Sequence, residues 1–420
     1  MLDEVDDTEE LVERIAALDI GKAELACCIR VPGESGRRGQ EVKTWSTMTG
    51  SLLSLADHLR MLKVSRVVME ATSDYWKPPF YVLEAAGLDP WLVNAKDVKH
   101  LPGRPKTDRI DAVWLCKIAE RQMIRPSFVP PPQIRRLRDL TRYRVDLIAA
   151  RTAEKNRAEK LLEDAGIKVS AVVSDLFGVS GRSMMRALIA GETDRRRLAL
   201  LARGRMRSKV DLLAEAFTGY FTEHHAFLLA KMLDRVEATD TDIAEIEDQI
   251  EMMIAPFAET VDRLAQIPGL GTVTAQALIA EIGIDMDRFP TPGHLCSWLK
   301  YAPIVSESAG KKKGRNATGH GNPYVGRVLG EAAVVAGRTD TFLGERYRRI
   351  ARRRGKKKAI VAVGRSMLII IWHLLSEPDT SYHELGSDHY TRRAQPARRK
   401  RDSIRQLQAL GYTVTLTKAA

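Results

Sequence analysis

The sequence predicts an α/β domain followed by a longer, mainly helical remainder. Three observations carry this. Up to Asn94, short apolar runs of strand length alternate with amphipathic helical stretches. A Pro triplet, Pro130-Pro131-Pro132, then closes that region and stiffens its exit. Beyond it, apolar residues recur at helical spacing over two long stretches, with few strand-like runs between them.

The first strand candidate is Ile15-Ala16-Ala17-Leu18-Asp19-Ile20-Gly21-Lys22, an apolar run carrying one carboxylate. Burying an Asp in a strand is costly unless it is paired or metal-bound. Glu24–Val31 and Glu41–Met48 read as two more strands across the turn-rich Pro32-Gly33-Glu34-Ser35-Gly36. A helix at Ser51–Leu62 leads to a fourth strand, Ser65–Ala71, which ends in an acid, Glu70, where the chain turns. Tyr75–Ala86 reads as helical and Pro90–Asn94 as a short fifth strand. The next helix opens in Lys106-Thr107-Asp108-Arg109-Ile110-Asp111-Ala112 and runs through Ala119. This is the element order of the ribonuclease H/RuvC-like fold, in which carboxylates stand on the first strand, at the end of the fourth and on the last helix. Asp19, Glu70, Asp108 and Asp111 occupy those places. On a helix, Asp108 and Asp111 project from one face, and like charges held side by side suit a shared cation. Taken alone, the pair reads more readily as acids favouring the helix N-terminal dipole.

Gln133–Asp164 reads as one long charged helix, ended by Gly166. A second carries Leu229, Met232, Val236, Thr239, Ile243, Ile246, Ile250 and Met253 at alternating spacings of a heptad seam, and Pro256 terminates it. An antiparallel coiled-coil arm and a packed bundle fit these helices equally well. The Gly-interrupted stretch between them, Asp175–Met206, gives mixed signals. Ile267-Pro268-Gly269-Leu270-Gly271-Thr272 is a helix-hairpin-helix signature, whose two glycines permit a tight turn with backbone N–H groups facing a phosphate. A further helix covers His294–Leu299. The loop Ala302–Arg315 combines Ser306 and Ser308 with Lys311, Lys312, Lys313 and Arg315; its hydroxyls could attack phosphorus or simply bind phosphate. After the helix Tyr324–Ala336, a basic run includes Arg352, Arg353, Arg354 and Lys356 and reads as a phosphate-tracking face. The tail from Ser376 is polar, has a second basic block at Arg398–Arg401, and is expected to be partly disordered.

Bulk properties agree. The 420 residues hold 66 Lys and Arg against 54 Asp and Glu, a formal charge of +12, with a pI near 9.5. Such a balance suits a polyanionic partner. Cys27 and Cys28 are adjacent, and Cys116 and Cys296 stand alone; this sparse usage fits a reduced cytoplasmic compartment and no CxxC metal site. The acidic N-terminus lacks the apolar core of a signal peptide. The apolar run Ala359–Leu375, interrupted by Gly364, Arg365 and His373, reads as too short and polar to cross a bilayer, so no membrane is expected.

The motifs LDIGK around Asp19, MEATSDYW around Glu70, KTDRIDA around Asp108 and Asp111, then IPGLGTVTA, SESAGKKKGR and GHGNPYVGR, in that order, resemble the DEDD transposases of insertion sequences. That family includes the Piv and MooV invertases, and its insertion-sequence members are guided by a bridge RNA. The match covers roughly residues 15 to 375. It implies a RuvC-like domain over 1–128, a helical coiled-coil region with an insert over 129–262, a C-terminal transposase domain over 263–375 and a basic tail over 376–420. It also implies Mg2+ or Mn2+ on Asp19, Glu70, Asp108 and Asp111, with Ser308 as nucleophile and Ser306 the weaker candidate. Ala309 stands where many relatives have Gly. The implied activity is DNA recombination through a phosphoserine link, by a homo-oligomer (dimer or tetramer) with composite sites that engages DNA and a structured guide RNA. Expected nucleic-acid contacts are Lys106, Arg109, Gly269, Gly271, Lys311, Lys312, Lys313, Arg315, Arg352, Arg353, Arg354 and Lys356. The alternative is a hydrolytic Holliday-junction nuclease using metal-activated water, in which Ser308 only contacts phosphate; a non-catalytic binder on the same scaffold is a third.

Overall fold

A computed structural model describes residues 11–33, 37–71, 73–94, 107–303, 306–308, 311–313, 318–390 and 396–417. The chain divides into two compact units, Met1–Val129 and Pro130–Ala420.

The first unit is built on a five-stranded sheet of β1 (Ile15–Ile20), β2 (Glu24–Pro32), β3 (Arg38–Ser46), β4 (Arg66–Glu70) and β5 (Pro90–Val93), in the order β3-β2-β1-β4-β5. The pairs β1–β2 and β2–β3 are antiparallel, and β1–β4 and β4–β5 are parallel. This is the meander-then-parallel arrangement expected of a RuvC-like sheet. β1 lies at its centre and is covered on both faces, so its run is apolar on both faces up to Asp19, not alternating. The edge strand β3 is polar and half-exposed, as an unpaired edge tolerates. On one face Ala16, Leu18, Ile20, Val67 and Met69 pack against α1 (Thr49–Met61) and α2 (Lys77–Ala85). On the other, Ile15, Ala17, Ala26, Cys28, Val68 and Val93 meet α3 (Asp108–Glu120) through Ala112, Leu115, Cys116 and Ala119.

Among its described residues, the second unit has helices and one hairpin as its regular elements. Its spine is α4 (Pro132–Asp164), with the last proline of the triplet at a helix start where no N–H is needed, followed by the short helices α5 (Val169–Val172), α6 (Val179–Ile189) and α7 (Arg195–Leu200). A 3-10 turn at Gly204–Lys209 and α8 (Val210–Ala216) lead into the second long helix, α9 (Glu223–Ile254). Ion pairs between the long helices run in opposite sequence order: Arg144 with Glu247 at 3.3 Å, Arg151 with Asp240 at 2.6 Å, and His225 with Asp164 at 3.3 Å. The helices are therefore antiparallel, each about 50 Å long. The residues of α9 that bury fully are Leu229, Leu233, Val236, Ile243, Ile250 and Ile254. One end joins a core around α5–α8, through Ala158, Leu162, Leu229 and Leu233. The other joins a core with the C-terminal helices, through Ile134, Leu137, Ile250 and Ile254.

Those helices are α10 (Ala258–Ala265), α11 (Thr272–Ile282), α12 (Pro292–Trp298), α13 (Pro323–Ala336), α14 (Phe342–Arg354), α15 (Lys356–Ser376) and α16 (Pro396–Ala409). α15 corrects the expectation drawn from its apolar run. The helix spans 21 residues and contains an 18-residue window of mean hydropathy 1.8, long and apolar enough for a bilayer by length and composition alone. Here Val363, Met367, Leu368 and Ile371 are fully buried in the C-terminal core. The chain just after α15 is held by hydrogen bonds. Arg263 Nη1 donates to the carbonyls of Leu374 (2.9 Å) and Pro378 (2.7 Å), and Glu384 accepts from Phe342 N at 2.7 Å, which straps the segment after α15 onto α10 and α14.

Candidate carboxylate site and nucleic-acid interface

Side chains in a strand alternate between faces. Ile15 and Ala17 face α3, so Asp19, two further on, shares that face; its register partner on β2 is Ala26, which packs there too. Val68 faces α3, and Glu70 follows it by the same step. Leu18 pairs with Met69 in the parallel register, so Asp19 and Glu70 are the next residues along adjacent strands about 5 Å apart. Both are half-buried.

α3 brings the other two acids to this end of the sheet. Its C-terminus is anchored near the start of β1, where Val12 N donates to Glu120 O at 3.0 Å and Cys116 Sγ lies 3.8 Å from Ile15 O. From Cys116 back to Asp108 the helix rises about 12 Å, and from Ile15 to Asp19 the strand rises about 13 Å. The first turn of α3 therefore arrives level with Asp19. Asp108 and Asp111 precede the buried Ala112 and Leu115 by one turn each, on the stripe that meets the sheet. Thr107 caps the helix, its side-chain oxygen accepting from Ile110 N at 3.3 Å. Beside it is a cleft of about 320 Å3 lined by Glu24, Ala26, Thr44, Thr107, Asp108 and Arg109. Among the described residues, no three His, Cys, Asp or Glu side chains stand close enough together to hold a metal ion. Four carboxylates without thiolate or imidazole suit a hard divalent cation such as Mg2+ or Mn2+. The fit is thus one of donor chemistry and shared face, not of a closed coordination shell.

Sequence reasoning missed the anchor at the opposite end of α3. Glu120 is 4 % exposed and paired with Arg30 at 2.9 Å and with Arg38, tying α3 to β2 and β3. The nearby thiols of Cys28 and Cys116 are joined by a hydrogen bond; that bond, with burial, pushes the Cys116 pKa up. All four cysteines are buried and free.

In the second unit, the segment read as a loop contains a hairpin, β6 (Ser306–Ser308) with β7 (Lys311–Lys313). Ser308 pairs with Lys311, leaving two residues between the strands. The side chains of Ser306, Ser308 and Lys311–Lys313 lie outside the described part of the molecule, as do Lys106 and Arg315 altogether. Both feet of the segment are fixed. At the first, Tyr301 fills the notch that Gly364 leaves on α15, where a Cβ would stand 2.6 Å from the ring. At the second, Asn322 caps α13, its Oδ1 accepting from Tyr324 N at 2.9 Å, while its Nδ2 donates to Glu281 Oε2 at 2.6 Å. Glu281 is 2 % exposed and also accepts two hydrogen bonds from Arg142, at 2.7 and 2.8 Å. These bonds, and to a lesser degree the Glu281 charge, raise the Arg142 pKa. The Asn-Pro pair was a legible cap signal; the acid it would meet was not.

The expected phosphate contacts divide. Arg109 donates to Val42 O at 3.1 Å and is exposed. Gly269 has φ +92°, and a Cβ there would stand 2.3 Å from Ala332 O, so close packing on α13 requires it. Gly271, at the N-terminus of α11, has open space around it. Arg352 pairs with Glu345 at 3.4 Å, whereas Arg353, Arg354 and Lys356 are exposed where α14 meets α15. Lysines in the first turn of α15 oppose its dipole, which an anion there would relieve.

Fold and site together define a protein whose RuvC-like sheet carries carboxylates at one end, joined to a basic helical region. The DEDD transposase model of IS110 type matches residues 16–167, and the transposase model of the IS116/IS110/IS902 family matches residues 261–348. The chain belongs to the DEDD transposase family of insertion sequences. It is 26% identical over 333 residues to a probable family 20 transposase of Pseudomonas aeruginosa, covering 78% of this chain and 88% of that protein. To the transposase of insertion sequence element IS1111A of Coxiella burnetii it is 26% identical over 328 residues, 76% of this chain and 80% of the other. The Thermus thermophilus RuvC structure aligns at TM-score 0.22 and 12% identity, over 27% of this chain and 99% of that one. At that score the fold description rests on the strand order and register above.

Proposed function

We propose that this transposase cuts and rejoins DNA through a phosphoserine intermediate, with Ser308 as nucleophile and Asp19, Glu70, Asp108 and Asp111 holding Mg2+ or Mn2+. The observation that carries the proposal is the meeting of two independent features. Two transposase family models match in order along the chain, and Asp19 and Glu70 end adjacent strands on the face that the first turn of α3 reaches. A divalent ion there would stabilise charge developing on the reacting phosphodiester. Ser308 Oγ attacks phosphorus, and the bridging sugar oxygen leaves with a proton. A hydroxyl of the exchanging strand then displaces Ser308, so the number of phosphodiesters is conserved and no water enters. A Ser hydroxyl is a weak nucleophile, so its proton needs an acceptor. The formal charge of +12 suits two polyanions, DNA and a structured bridge RNA that selects the target. The working form is a cytoplasmic homo-oligomer, for which the long antiparallel helices, packed as a coiled-coil arm, supply a means of assembly.

Incubation of the full chain with element-end DNA, guide RNA and Mg2+, followed by denaturing electrophoresis, should reveal a covalent protein–DNA adduct. Ser308→Ala should abolish the adduct and recombination while leaving nucleic-acid affinity within about twofold, and Asp19→Asn should abolish both activities. Cleavage without any adduct, persisting in Ser308→Ala, would establish the hydrolytic junction-nuclease chemistry instead.

A further inference from the structure

The short helices between α4 and α9 form a module with its own core, at the end of the long helix pair away from the C-terminal helices. Between Asp194 and Asp211 the chain carries seven cations and no acid: Arg195, Arg196, Arg197, Arg203, Arg205, Arg207 and Lys209. In the same module, arginines that serve the fold have carboxylate partners. Arg182 is bonded to Asp240, and Arg186 lies 2.8 Å from Asp234 and 2.5 Å from Glu237. Arg195 donates to Thr218 Oγ1 at 3.0 Å, Arg196 lies 3.6 Å from Asp211, and Arg197 lies 3.7 Å from Glu192. Lys209 is tethered through its Nζ to Val172 O at 2.7 Å.

Arg203, Arg205 and Arg207 differ. All three are exposed, and among the described residues no carboxylate pairs with them. They alternate along a 3-10 turn pinned to the module at both ends, by Arg203 N donating to Ser180 Oγ at 2.9 Å and by Lys209. Gly204, with φ +55°, has nothing within 4 Å of a Cβ position, so the backbone between the first two arginines is open to close approach. Three like charges within five residues repel one another and stabilise nothing in the chain. Arginine in place of lysine at all three positions matches the planar, two-pronged recognition of phosphate oxygens.

We propose that the turn Arg203–Lys209 is a nucleic-acid contact separate from the hairpin and the α14/α15 basic run, in which Arg203, Arg205 and Arg207 grip the phosphate backbone of a duplex without reading its sequence. The long helices would hold this contact about 40–50 Å from the C-terminal core, a span of about a dozen base pairs. DNA and RNA duplexes offer the same phosphate chemistry, and the experiment separates them.

The full-length triple variant Arg203→Ala/Arg205→Ala/Arg207→Ala is titrated with DNA and RNA duplexes of one sequence from 0.05 to 0.3 M salt. Three phosphate contacts correspond to a salt slope shallower by about 2.7 and an affinity about 100-fold weaker near 0.15 M salt. Loss on both duplexes supports a shared backbone contact; loss on one alone supports the contact and names its source. The control Lys160→Ala/Lys231→Ala removes exposed cations from the long helices and should change affinity less than threefold. Helicity and thermal unfolding of the triple variant should match the parent. Arg203→Lys/Arg205→Lys/Arg207→Lys, which keeps the charge, should restore the salt slope. An unchanged slope in the alanine variant, or an equal loss in the control, overturns the proposal, and acidic-protein binding without duplex binding would do the same. Duplex affinity is measured without a cleavage step, so its outcome is separate from the fate of the Ser308 assignment.

Discussion

Replacing Glu281 by Gln perturbs one buried carboxylate and nothing else in shape. The carboxylate accepts from Arg142 Nε at 2.7 Å, Arg142 Nη2 at 2.8 Å and Asn322 Nδ2 at 2.6 Å, with Arg138 Nε at 3.5 Å. A Gln has a single acceptor oxygen, and its amide nitrogen would face donors. At least one donor loses its partner and the remaining bonds lose their charge assistance. A charged hydrogen bond contributes about 1.5–3 kcal/mol and an orphaned buried polar group costs about 1–3 kcal/mol, and breaking a buried charge pair as a whole typically costs about 3–5 kcal/mol. The Arg142 side chain is 36% exposed and can partly rehydrate, which favours the low end, about 3 kcal/mol. The chain has two compact units, so a single melting temperature would blur the effect. Local hydrogen exchange resolves it. The amides of Tyr324 and Val325, held by Asn322, should exchange about 100-fold faster, and a double-mutant cycle with Asn322→Ala should show coupling of about 1–2 kcal/mol. With the second foot of the Ser308 segment released, adduct formation should fall about tenfold at unchanged nucleic-acid affinity. A cost below about 1 kcal/mol with unchanged exchange at Tyr324 and Val325 would refute the assignment of Glu281 as the anchor.

The two glycines of the IPGLG turn should part company under substitution. Gly269→Ala combines a positive φ with a Cβ 2.3 Å from Ala332 O and should cost about 2–4 kcal/mol in urea unfolding, whereas Gly271→Ala, in open space at a helix cap, should cost less than about 1 kcal/mol; the reverse order would disprove the packing role. Burial alone would raise the Asp240 pKa, but hydrogen bonds from Arg182 and Arg151 outweigh it and hold the group below its usual range. A depressed carboxylate stabilises fully above its unfolded value near about 4 and loses that contribution as pH falls through its folded value. Protection against hydrogen exchange along α4 and α9, relative to the intrinsic rate at each pH, should therefore fall below about pH 4, and Asp240→Asn should remove that dependence.

What the sequence made legible is what local physics dictates. The run Ile15–Ile20 could be read as a strand because a central strand buried on both faces must be continuously apolar. The acid pair at the start of α3 was visible because Thr107 caps the helix and the spacing of Asp108 and Asp111 fixes their common face. The hairpin was not visible. Three-residue stretches made of Ser, Glu and Lys contain no alternation of apolar and polar residues, so no period-two signal exists to find. Nor was the module between the long helices. Gly178 and Gly181 look like breakers, yet Gly181 lies inside α6, where a Cβ would stand 1.9 Å from Leu176 O; the glycine is there for close packing. Glu281 escaped for a different reason. Its arginine partner lies 139 residues away and its asparagine partner 41, and no local pattern reports contacts of that range.

Glu120 and Glu281 answer the same physical problem. Each sits at or next to the C-terminal end of a packed helix, buried and held by two arginines from elements distant in sequence. Such pairs add little net stability, because desolvation offsets most of the attraction; apolar side chains of equal volume would stabilise as well. An apolar contact, however, permits a helix to slide and turn, whereas a carboxylate with directional partners fixes both its rotation and its position along the axis. For α3, fixing Glu120 against Arg30 and Arg38 determines where Asp108 and Asp111 point at the other end. For α11, fixing Glu281 also fixes Asn322, and with it the exit of the segment that carries Ser308. The residues that set the chemistry are thus oriented by charges well removed from them in sequence, which is why the acids could be read from the chain and their alignment could not.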